Sequence, residues 1–260
     1  MRSDDQAPMK LSPTTPENTW IEKSVAWAML GLAAGIGGAS LIAFGLFLYA
    51  GPLDLVDFDL GFGTKLAIDA GLSMLFFVQH SWMVRRSFRQ RLARVMPKHY
   101  LDAVYAIASG IALFAVVLLW QESRQIIWQA TNGLWWTARM IFLLALAVGI
   151  WGGLSLKGFD SFGVRPIRHR FRPEPSRPSF LVVQGAYRWV RHPLYLAVLL
   201  MIWSYPVLTI DRLLFNTLWT IWIVIGAVLE ERDLAADFGS DYHEYQRNVP
   251  MLIPTRVPSW

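Results

Sequence analysis

Residues 191–231 read RHPLYLAVLLMIWSYPVLTIDRLLFNTLWTIWIVIGAVLEE, and this stretch is the most informative about the fold. It contains two apolar runs, Leu194–Ile210 and Leu213–Leu229, which are joined only by Asp211-Arg212. Each run is near the lower limit of the length that crosses a bilayer as a helix. Because so short a connection leaves no room for a crossover, the sequence predicts a tight antiparallel hairpin of two helices.

Longer apolar runs precede this hairpin, and each has the length that a membrane-spanning helix needs. The 260 residues are 54% hydrophobic and only 17% charged, which is unlike a soluble domain. We therefore predict an all-α fold, a polytopic membrane helical bundle of about six transmembrane helices, or of five with a re-entrant pair. The preceding runs are Ser24–Ala50, Leu66–Val84, Leu101–Trp120 and Leu134–Leu156.

Basic residues concentrate in two of the predicted loops, at residues 85–98 and 157–191. The positive-inside rule places these loops and both termini in the cytoplasm, with the protein in the inner membrane. Anionic lipid head groups are sufficient partners for such arginines, so the net charge of +5 does not indicate nucleic-acid binding. We expect the lipid bilayer as a partner, and no feature of the sequence specifies an oligomeric state.

The rest of the chain organises around these spans. Residues 1–20 are predicted to form a flexible cytoplasmic tail, and residues 21–260 a single membrane domain. The proline-rich stretch 159–179 is expected to be non-helical, as a lid or as a connector on the head groups. After Leu229 we predict an amphipathic helix that ends at Gly239, then a short helix from Asp241 to Asn248.

Ionisable groups inside a span are costly and usually face the bundle interior or a polar cavity. Asp69, Ser73 and His80 share one face of the second predicted helix. One interpretation is a hydrogen-bond network that fixes helix packing. The other places His80, near the cytoplasmic end, beside a functional site.

The hairpin brings polar residues from its two ends together. Pro193 can open a helix, which sets Arg191 and His192 at its N-terminus, and the antiparallel return brings Glu230 and Glu231 to the same face. Two carboxylates, an imidazole, a guanidinium and nearby aromatic rings suit a cationic, partly apolar ligand such as S-adenosyl-L-methionine, whose sulfonium is attracted to ring faces. The rings belong to Tyr195, Tyr242 and Tyr245. The alternative is that the Glu pair only ends a helix at the water boundary.

The spacing of these residues adds a family resemblance. Residues 180–254 contain Arg191-His192-Pro193-x-Tyr195, Glu230-Glu231-x-x-Leu234, Phe238-Gly239-x-x-Tyr242-x-x-Tyr245 and Val249-Pro250 with Ile253-Pro254. This pattern resembles the isoprenylcysteine carboxyl methyltransferase superfamily, whose members are membrane enzymes that use S-adenosylmethionine. The resemblance implies that residues 180–254 form the cofactor-binding half, with cofactor-binding roles for His192, Tyr195, Glu230 and Glu231.

Two upstream motifs are similar to a narrower branch, which holds bacterial methanethiol S-methyltransferases and NnrU-type membrane proteins. They are Gln79-His80-Ser81, before the arginine-rich loop, and Asp160-x-Phe162-Gly163-x-Arg165. The isoprenylcysteine enzymes use an arginine before the Glu pair to position the substrate carboxylate. Residues 225–229 here read IGAVL and contain no base, which disfavours carboxyl methylation and favours a small neutral thiol such as methanethiol, giving dimethyl sulfide.

Roles for individual residues follow as hypotheses. A thiolate is the nucleophile, so a base or a positive potential must favour its formation. His80 is expected on the substrate side and His192 on the cofactor side, with Arg191 as the third catalytic group and Tyr187 and Arg188 near the substrate. We also assign Tyr242 and Tyr245 to the cofactor. The chain has no cysteine, and we expect no metal site.

Other classes of function stay open at this point. NnrU relatives include a haem-carrying carotenoid isomerase, and His80 and His192 could ligate haem iron axially. An isoprenylcysteine-type carboxyl methyltransferase and a non-enzymatic membrane scaffold are the further alternatives.

Overall fold

A computed structural model describes residues 16–156, 160–172, 181 and 183–257, with side chains described from Trp20 onward. Most of the predicted tail, and residues 159 and 173–179 of the proline-rich stretch, lie outside the described residues. The α-helices are α1 Pro16–Leu32, α2 Gly38–Ala50, α3 Phe62–Val84, α4 Arg86–Leu92, α5 Leu101–Leu119, α6 Asn132–Ser155, α7 Val164–Phe171, α8 Pro193–Trp203, α9 Ile210–Phe238 and α10 Ser240–Asn248. A π-helical segment, Ala33–Gly37, joins α1 to α2, and two short strands, β1 Ile126–Gln129 and β2 Val207–Thr209, pair antiparallel.

The all-α, polytopic membrane architecture is confirmed. Within the described part of the chain, four helical segments are long and apolar enough to cross a bilayer: Trp20–Ala50, Lys98–Leu119, Asn132–Ser155 and Ile210–Phe238. The 23-residue α3 is long enough but more polar, and it packs between α5 and α9. The 11-residue α8 rises only about 16 Å, roughly half of the hydrocarbon thickness. The first arm of the hairpin is therefore shorter than the sequence predicts.

The hairpin turn also differs from the prediction. The sequence predicts Asp211-Arg212 as the connection between the two helices, but both residues lie in the first turn of α9 and are buried. The chain leaves α8 after Trp203, before Pro206, and then forms β2 against β1. Proline disfavours helix in the residue before it, which explains the early end of α8.

Tertiary contacts explain why the charged pair is buried. The Asp211 carboxylate accepts from Trp120 Nε1 at 3.0 Å and from the Ser123 backbone N–H at 3.1 Å. Arg212 donates to the carbonyl oxygens of Phe47 and Leu48 at 3.3 and 3.1 Å. Buried polar groups require hydrogen-bonding partners, and this pair finds them in two other segments of the bundle. These bonds hold the start of α9 against those segments.

The face of α3 serves two purposes. Asp69 accepts from the backbone N–H of Gln121 at 2.8 Å, and Ser73 lies 3.3 Å from Trp219 Nε1, so these two belong to a packing network. His80, at the other end of the helix, belongs to a cavity described below. The packing interpretation thus holds for Asp69 and Ser73, whereas His80, at the opposite end of the helix, lies at a cavity.

The candidate site lies at one end of the bundle, which we call the basic end. There α3, α6 and α9 end and α5 and α8 begin. As predicted, α9 continues to Phe238 and a short helix, α10, follows Gly239, whose φ is +56°. The α10 residues Tyr242 and Tyr245 are buried in a small apolar cluster with Val249, which turns α10 back onto the bundle.

The proline-rich stretch is not wholly non-helical, which corrects the prediction. Residues 164–171 form α7, with Pro166 in the first turn, where a missing N–H removes no intrahelical bond. Asp160 precedes α7 and stabilises its first turn, because its carboxylate accepts from the N–H groups of Val164 and Arg165 at 3.0 and 2.7 Å. Gly163 has φ +74°, and a Cβ there would lie 2.6 Å from the Ala103 nitrogen, so the turn before α7 presses directly on α5.

Candidate active site

Glu231 is the centre of a dense hydrogen-bond network at the basic end. Its carboxylate binds Arg191 in a bidentate fashion, at 2.7 Å from Nε and 2.8 Å from Nη2. It also accepts from the Tyr242 hydroxyl at 2.8 Å and from Gln246 Nε2 at 2.7 Å, and it lies 2.8 Å from His192 Nε2. With its lone pairs taken, this buried carboxylate organises the site and has no capacity left for a ligand.

The Arg191 guanidinium also makes hydrogen bonds to backbone carbonyl oxygens. Its Nη1 donates to the carbonyl oxygens of Gln246, at 3.1 Å, and of Val249. The backbone adds two bonds, from the Arg191 N–H to the Pro250 carbonyl at 2.9 Å and from the His192 N–H to the Met251 carbonyl at 3.1 Å. The guanidinium therefore clamps the segment after α10 onto the start of α8, which accounts for the spacing of the sequence pattern across residues 191–251.

A cavity of about 560 Å³ opens beside this network. Its volume is in the range of small-molecule sites. Two histidines from separate elements, His80 and His192, line it. The predicted site residues that line it are His80, Tyr187, Arg191, His192, Tyr195 and Glu230.

Glu230 differs from its neighbour because its side chain is 47% exposed. One oxygen, Oε2, accepts from the Tyr195 hydroxyl at 2.7 Å and lies 3.8 Å from His192 Nδ1. Tyr195 in turn stacks on the imidazole of His192, with ring centroids 5.3 Å apart. Glu230 is thus the carboxylate of the pair that can neutralise a bound cation.

The tautomer of His192 follows from its partner. Because an ionised carboxylate only accepts, the nitrogen facing Glu231 carries a proton. The other nitrogen, Nδ1, lies on the side of Glu230 and the cavity. His192 is therefore held in one orientation by a buried carboxylate, as catalytic or ligand-binding histidines commonly are.

His80 forms the opposite wall. The Tyr105 hydroxyl lies 2.8 Å from its Nε2, and the rings of Phe76 and Trp222 lie 5.1 and 5.4 Å from the imidazole. Trp222 is itself held by a hydrogen bond from its Nε1 to Ser81, at 3.0 Å. Packing on several sides fixes the ring of His80 toward the cavity.

Other predicted site residues lie outside the cavity. Tyr242 and Tyr245 stand behind it, where Tyr242 supports Glu231 and the Tyr245 hydroxyl donates to the Tyr187 carbonyl at 2.6 Å. Burial raises the pKa of both phenols, so each stays protonated and serves as a donor. Arg188 is exposed and is absent from the lining. Burial also raises the pKa of Tyr187, to about 12, so this cavity-lining phenol stays neutral.

The structure adds lining residues that were not assigned to the site from sequence. Arg89 Nη1 lies 2.6 Å from Asp102 Oδ1 at the mouth of the cavity. Asp102, Tyr105 and Ser109 recur at helical spacing in the sequence, and this spacing is the feature from which they could have been predicted to share one face of α5. The added residues include Gly37, Ser40, Phe76, Arg89, Asp102, Tyr105, Ser109, Gly110, Asp160 and Phe162.

Comparison with known proteins supports a family assignment. The sequence pattern of the NnrU protein family matches residues 70–236, which include both cavity histidines and the Glu pair. Methanethiol S-methyltransferase of Crocosphaera subtropica is 35% identical over 195 residues, covering 74% of this chain and 75% of that protein. The enzyme of the same name from Pseudomonas deceptionensis is 35% identical over 191 residues, covering 73% of each chain.

A more distant relative is Nurim of Xenopus laevis, 26% identical over 184 residues, which cover 67% of this chain and 64% of Nurim. No solved structure matches the chain.

Proposed function

The chain belongs to the NnrU family, and we propose that it is a membrane methyltransferase that transfers a methyl group from S-adenosylmethionine to a small thiol, with methanethiol as the acceptor. The observation that carries this proposal is the shared cavity. His80 and His192 face one space, which has an apolar wall on the side of His80 and the accessible carboxylate of Glu230 on the side of His192.

The donor side of the cavity has the groups that a sulfonium requires. Glu230 offers a negative charge that no cation in the described residues pairs with, beyond the imidazole 3.8 Å away. Tyr187 and Tyr195 line the same cavity and are aromatic groups of the kind that contact an onium group. Bound here, S-adenosylmethionine would supply an electrophilic methyl group. His192 and Tyr195 would hold Glu230 in place while its charge favours the donor over the neutral product.

The acceptor side favours a small, uncharged substrate. Small residues of the helices α2 and α5 and the π-helical segment, Gly37, Ser40 and Gly110, make this wall, together with Phe76 and Leu113. Both arginines that line the cavity are engaged by carboxylates, Arg89 by Asp102 and Arg191 by Glu231. A substrate carboxylate would find no free cation among the described lining residues, which supports thiol over carboxyl methylation.

The proposed reaction is an SN2 displacement. His80 accepts the proton of the thiol, and the thiolate sulfur then forms a bond to the methyl carbon while the carbon–sulfur bond of the sulfonium breaks. The products are a neutral thioether and S-adenosylhomocysteine, and His80 returns its proton to water. Holding the nucleophile in line with the breaking bond is the main contribution of the fixed helices.

The location of the site sets its access routes. We propose that the basic end faces the cytoplasm from the inner membrane, because the arginine-rich segments flank it. The polar donor then enters from the cytoplasm, and a small apolar thiol reaches the cavity from water or from the lipid.

A direct assay tests the proposal. Purified full-length protein with S-adenosylmethionine and methanethiol should produce dimethyl sulfide, measured by gas chromatography. His80→Ala and Glu230→Ala should each lower the rate at least tenfold, whereas Glu244→Ala, which removes an exposed carboxylate of α10, should not.

Two outcomes would contradict the proposal. Failure of the folded protein to bind S-adenosylhomocysteine in calorimetry would remove the methyltransferase assignment. A Soret band that disappears in His80→Ala would favour haem ligation instead, although the Nε2 atoms of both histidines are engaged, by Tyr105 and by Glu231.

A further inference from the structure

A second cavity, of about 470 Å³, lies between α1 and α7. It shares no lining residue with the candidate active site. Its residues fall at helical spacing on both walls, so each helix presents one continuous face to the groove. The α1 wall consists of Lys23, Ala26, Trp27 and Leu30, and the α7 wall of Val164, Ile167, Arg168 and Phe171, followed by Arg172.

The two helices run antiparallel, so the start of α7 lies near the end of α1 and the end of α7 lies near the start of α1. Phe162, just before α7, touches the π-helical segment, since a Cβ built on Gly37 would lie 3.0 Å from Phe162 Cε1. Near the other end, Arg170 Nη2 lies 3.4 Å from Glu22 Oε2, close to the start of α1. Gly37 and Glu22 are about 22 Å apart along a helix, so α7 extends from inside the bundle toward the level where α1 begins.

Charge and hydrophobicity separate along this direction. Lys23, Arg168 and Arg172 gather toward the start of α1, and all three are exposed. Among the residues that the structure describes, none of the three takes part in an ion pair. The carboxylate of Glu22, at the start of α1, is paired with Arg170 instead. Deeper along the groove, Trp27, Leu30 and Val164 provide an apolar surface.

We propose that this groove binds one anionic phospholipid. The lipid phosphate would lie among Lys23, Arg168 and Arg172, and one acyl chain would follow the apolar wall below them. The arrangement matches this occupant in charge and in polarity, because basic side chains at the head-group level attract anionic lipids and a membrane helix presents its apolar face to acyl chains. A soluble partner would not need an apolar groove that extends toward the membrane interior.

The bound lipid would also reinforce the active site. The turn at Asp160 and Phe162, which begins α7, lines the candidate catalytic cavity. A lipid that fills the space between α1 and α7 therefore supports one wall of that cavity from outside. This consequence depends on the proposed function, whereas the lipid site itself does not.

Native mass spectrometry of the full-length protein in detergent tests the site, with dioleoyl phosphatidylglycerol and dioleoyl phosphatidylcholine added at matched concentrations. Wild-type protein should retain one phosphatidylglycerol at concentrations where phosphatidylcholine is lost. The double variant Arg168→Ala/Arg172→Ala should raise the half-saturating phosphatidylglycerol concentration about tenfold or more. The matched control is Arg91→Ala/Arg94→Ala, which removes the same charge from exposed positions at the same end of the bundle.

A groove-filling variant separates a lipid from a simple anion. Val164 is 43% exposed, and Val164→Trp should occupy the acyl path without changing any charge, so it should also weaken phosphatidylglycerol binding. Inorganic phosphate at millimolar concentration should not displace the lipid.

Three results would overturn the proposal: equal binding of the two lipids, an equal loss in the Arg91/Arg94 control, or displacement by phosphate alone. If the double arginine variant fails to fold, Val164→Trp alone decides, and unchanged lipid binding in that variant would refute the site.

Discussion

Glu230 and Glu231 are neighbours in the sequence, and the structure gives them opposite surroundings. The Glu231 side chain is 11% exposed and has its hydrogen-bonding capacity filled, whereas the Glu230 side chain is 47% exposed and faces the cavity. The geometry of the helix accounts for this difference, because the side chains of adjacent residues point about 100° apart. The two carboxylates therefore support different predictions.

Glu230→Gln should weaken binding of S-adenosylmethionine more than binding of S-adenosylhomocysteine, because only the former carries a sulfonium charge. For a partly exposed carboxylate the difference should be about 1 kcal/mol, or roughly fivefold in Kd. Calorimetry with both ligands measures it, and Glu244→Gln serves as the control for a lost surface carboxylate. Equal weakening of the two ligands would show that Glu230 does not sense the sulfonium.

Glu231→Gln should chiefly destabilise the protein. The change leaves the Arg191 guanidinium buried without its counter-charge, a loss of about 3 kcal/mol. The midpoint of thermal unfolding should then fall by about 6–12 °C in detergent. Glu230→Gln should change the midpoint far less, and a comparable fall in both variants would contradict the distinction between the two residues.

The phenol of Tyr187 gives a prediction for alkaline pH. Burial raises its pKa from 10.0 to about 12, so the folded protein holds this proton more tightly than the unfolded chain. The stabilisation is complete below pH 10 and declines as the pH rises toward 12. The midpoint of thermal unfolding should therefore fall less between pH 9 and pH 11 in Tyr187→Phe than in wild type. An identical fall in both proteins would show that Tyr187 is not responsible.

At the scale of elements, α7 shows how a turn positions a helix at the site. Gly163 has φ +74° and leaves no room for a Cβ, because the Ala103 nitrogen of α5 would lie 2.6 Å away. Gly239, which separates α9 from α10, has φ +56° but open space around it. The two glycines therefore both have a positive φ, which favours glycine, and they differ in their contacts.

Substituting the two glycines by alanine separates these effects. Gly239→Ala should destabilise by about 1 kcal/mol, because alanine disfavours the positive φ of this position. Gly163→Ala should cost more, because α7 must also move away from α5, and it should lower methyl transfer by displacing Asp160 and Phe162 from the cavity wall. Thermal unfolding and the dimethyl sulfide assay measure both effects. Equal destabilisation by the two substitutions would refute the close contact of α7 with α5.

At the scale of the whole molecule, the bundle has two chemically different ends. The basic end carries the cavity and α10, and the opposite end carries the β1–β2 pair and the buried Asp211. The arginine-rich segments should place the basic end in the cytoplasm.

Single-cysteine labelling tests that orientation, and the absence of native cysteine makes it clean. Ser240→Cys, at the start of α10, should react with a membrane-impermeant maleimide only after spheroplasts are lysed. Thr131→Cys, just before α6, should react in intact spheroplasts. Both positions are exposed in the structure, and the reverse labelling pattern would invert the topology.

The helical membrane architecture and the set of polar residues at the basic end could be predicted from the amino-acid sequence. Apolar runs of spanning length leave a chain few alternatives to helices in a bilayer, because every backbone polar group must be satisfied within the segment. The hairpin also determined that Arg191-His192 and the Glu pair would meet, since antiparallel helices return the chain to the face it left.

The separate roles of these residues depend on contacts between distant segments and could not be predicted from the sequence pattern. Whether a carboxylate is available to a ligand depends on how many donors other segments bring to it, and the donors of Glu231 come from α10 and from the two residues before α8. The same reason explains Asp211-Arg212, which pattern alone assigned to a turn but which partners from distant segments hold inside a helix. The identity of a side chain is local, whereas its hydrogen-bonding partners are set by packing between elements far apart in the chain.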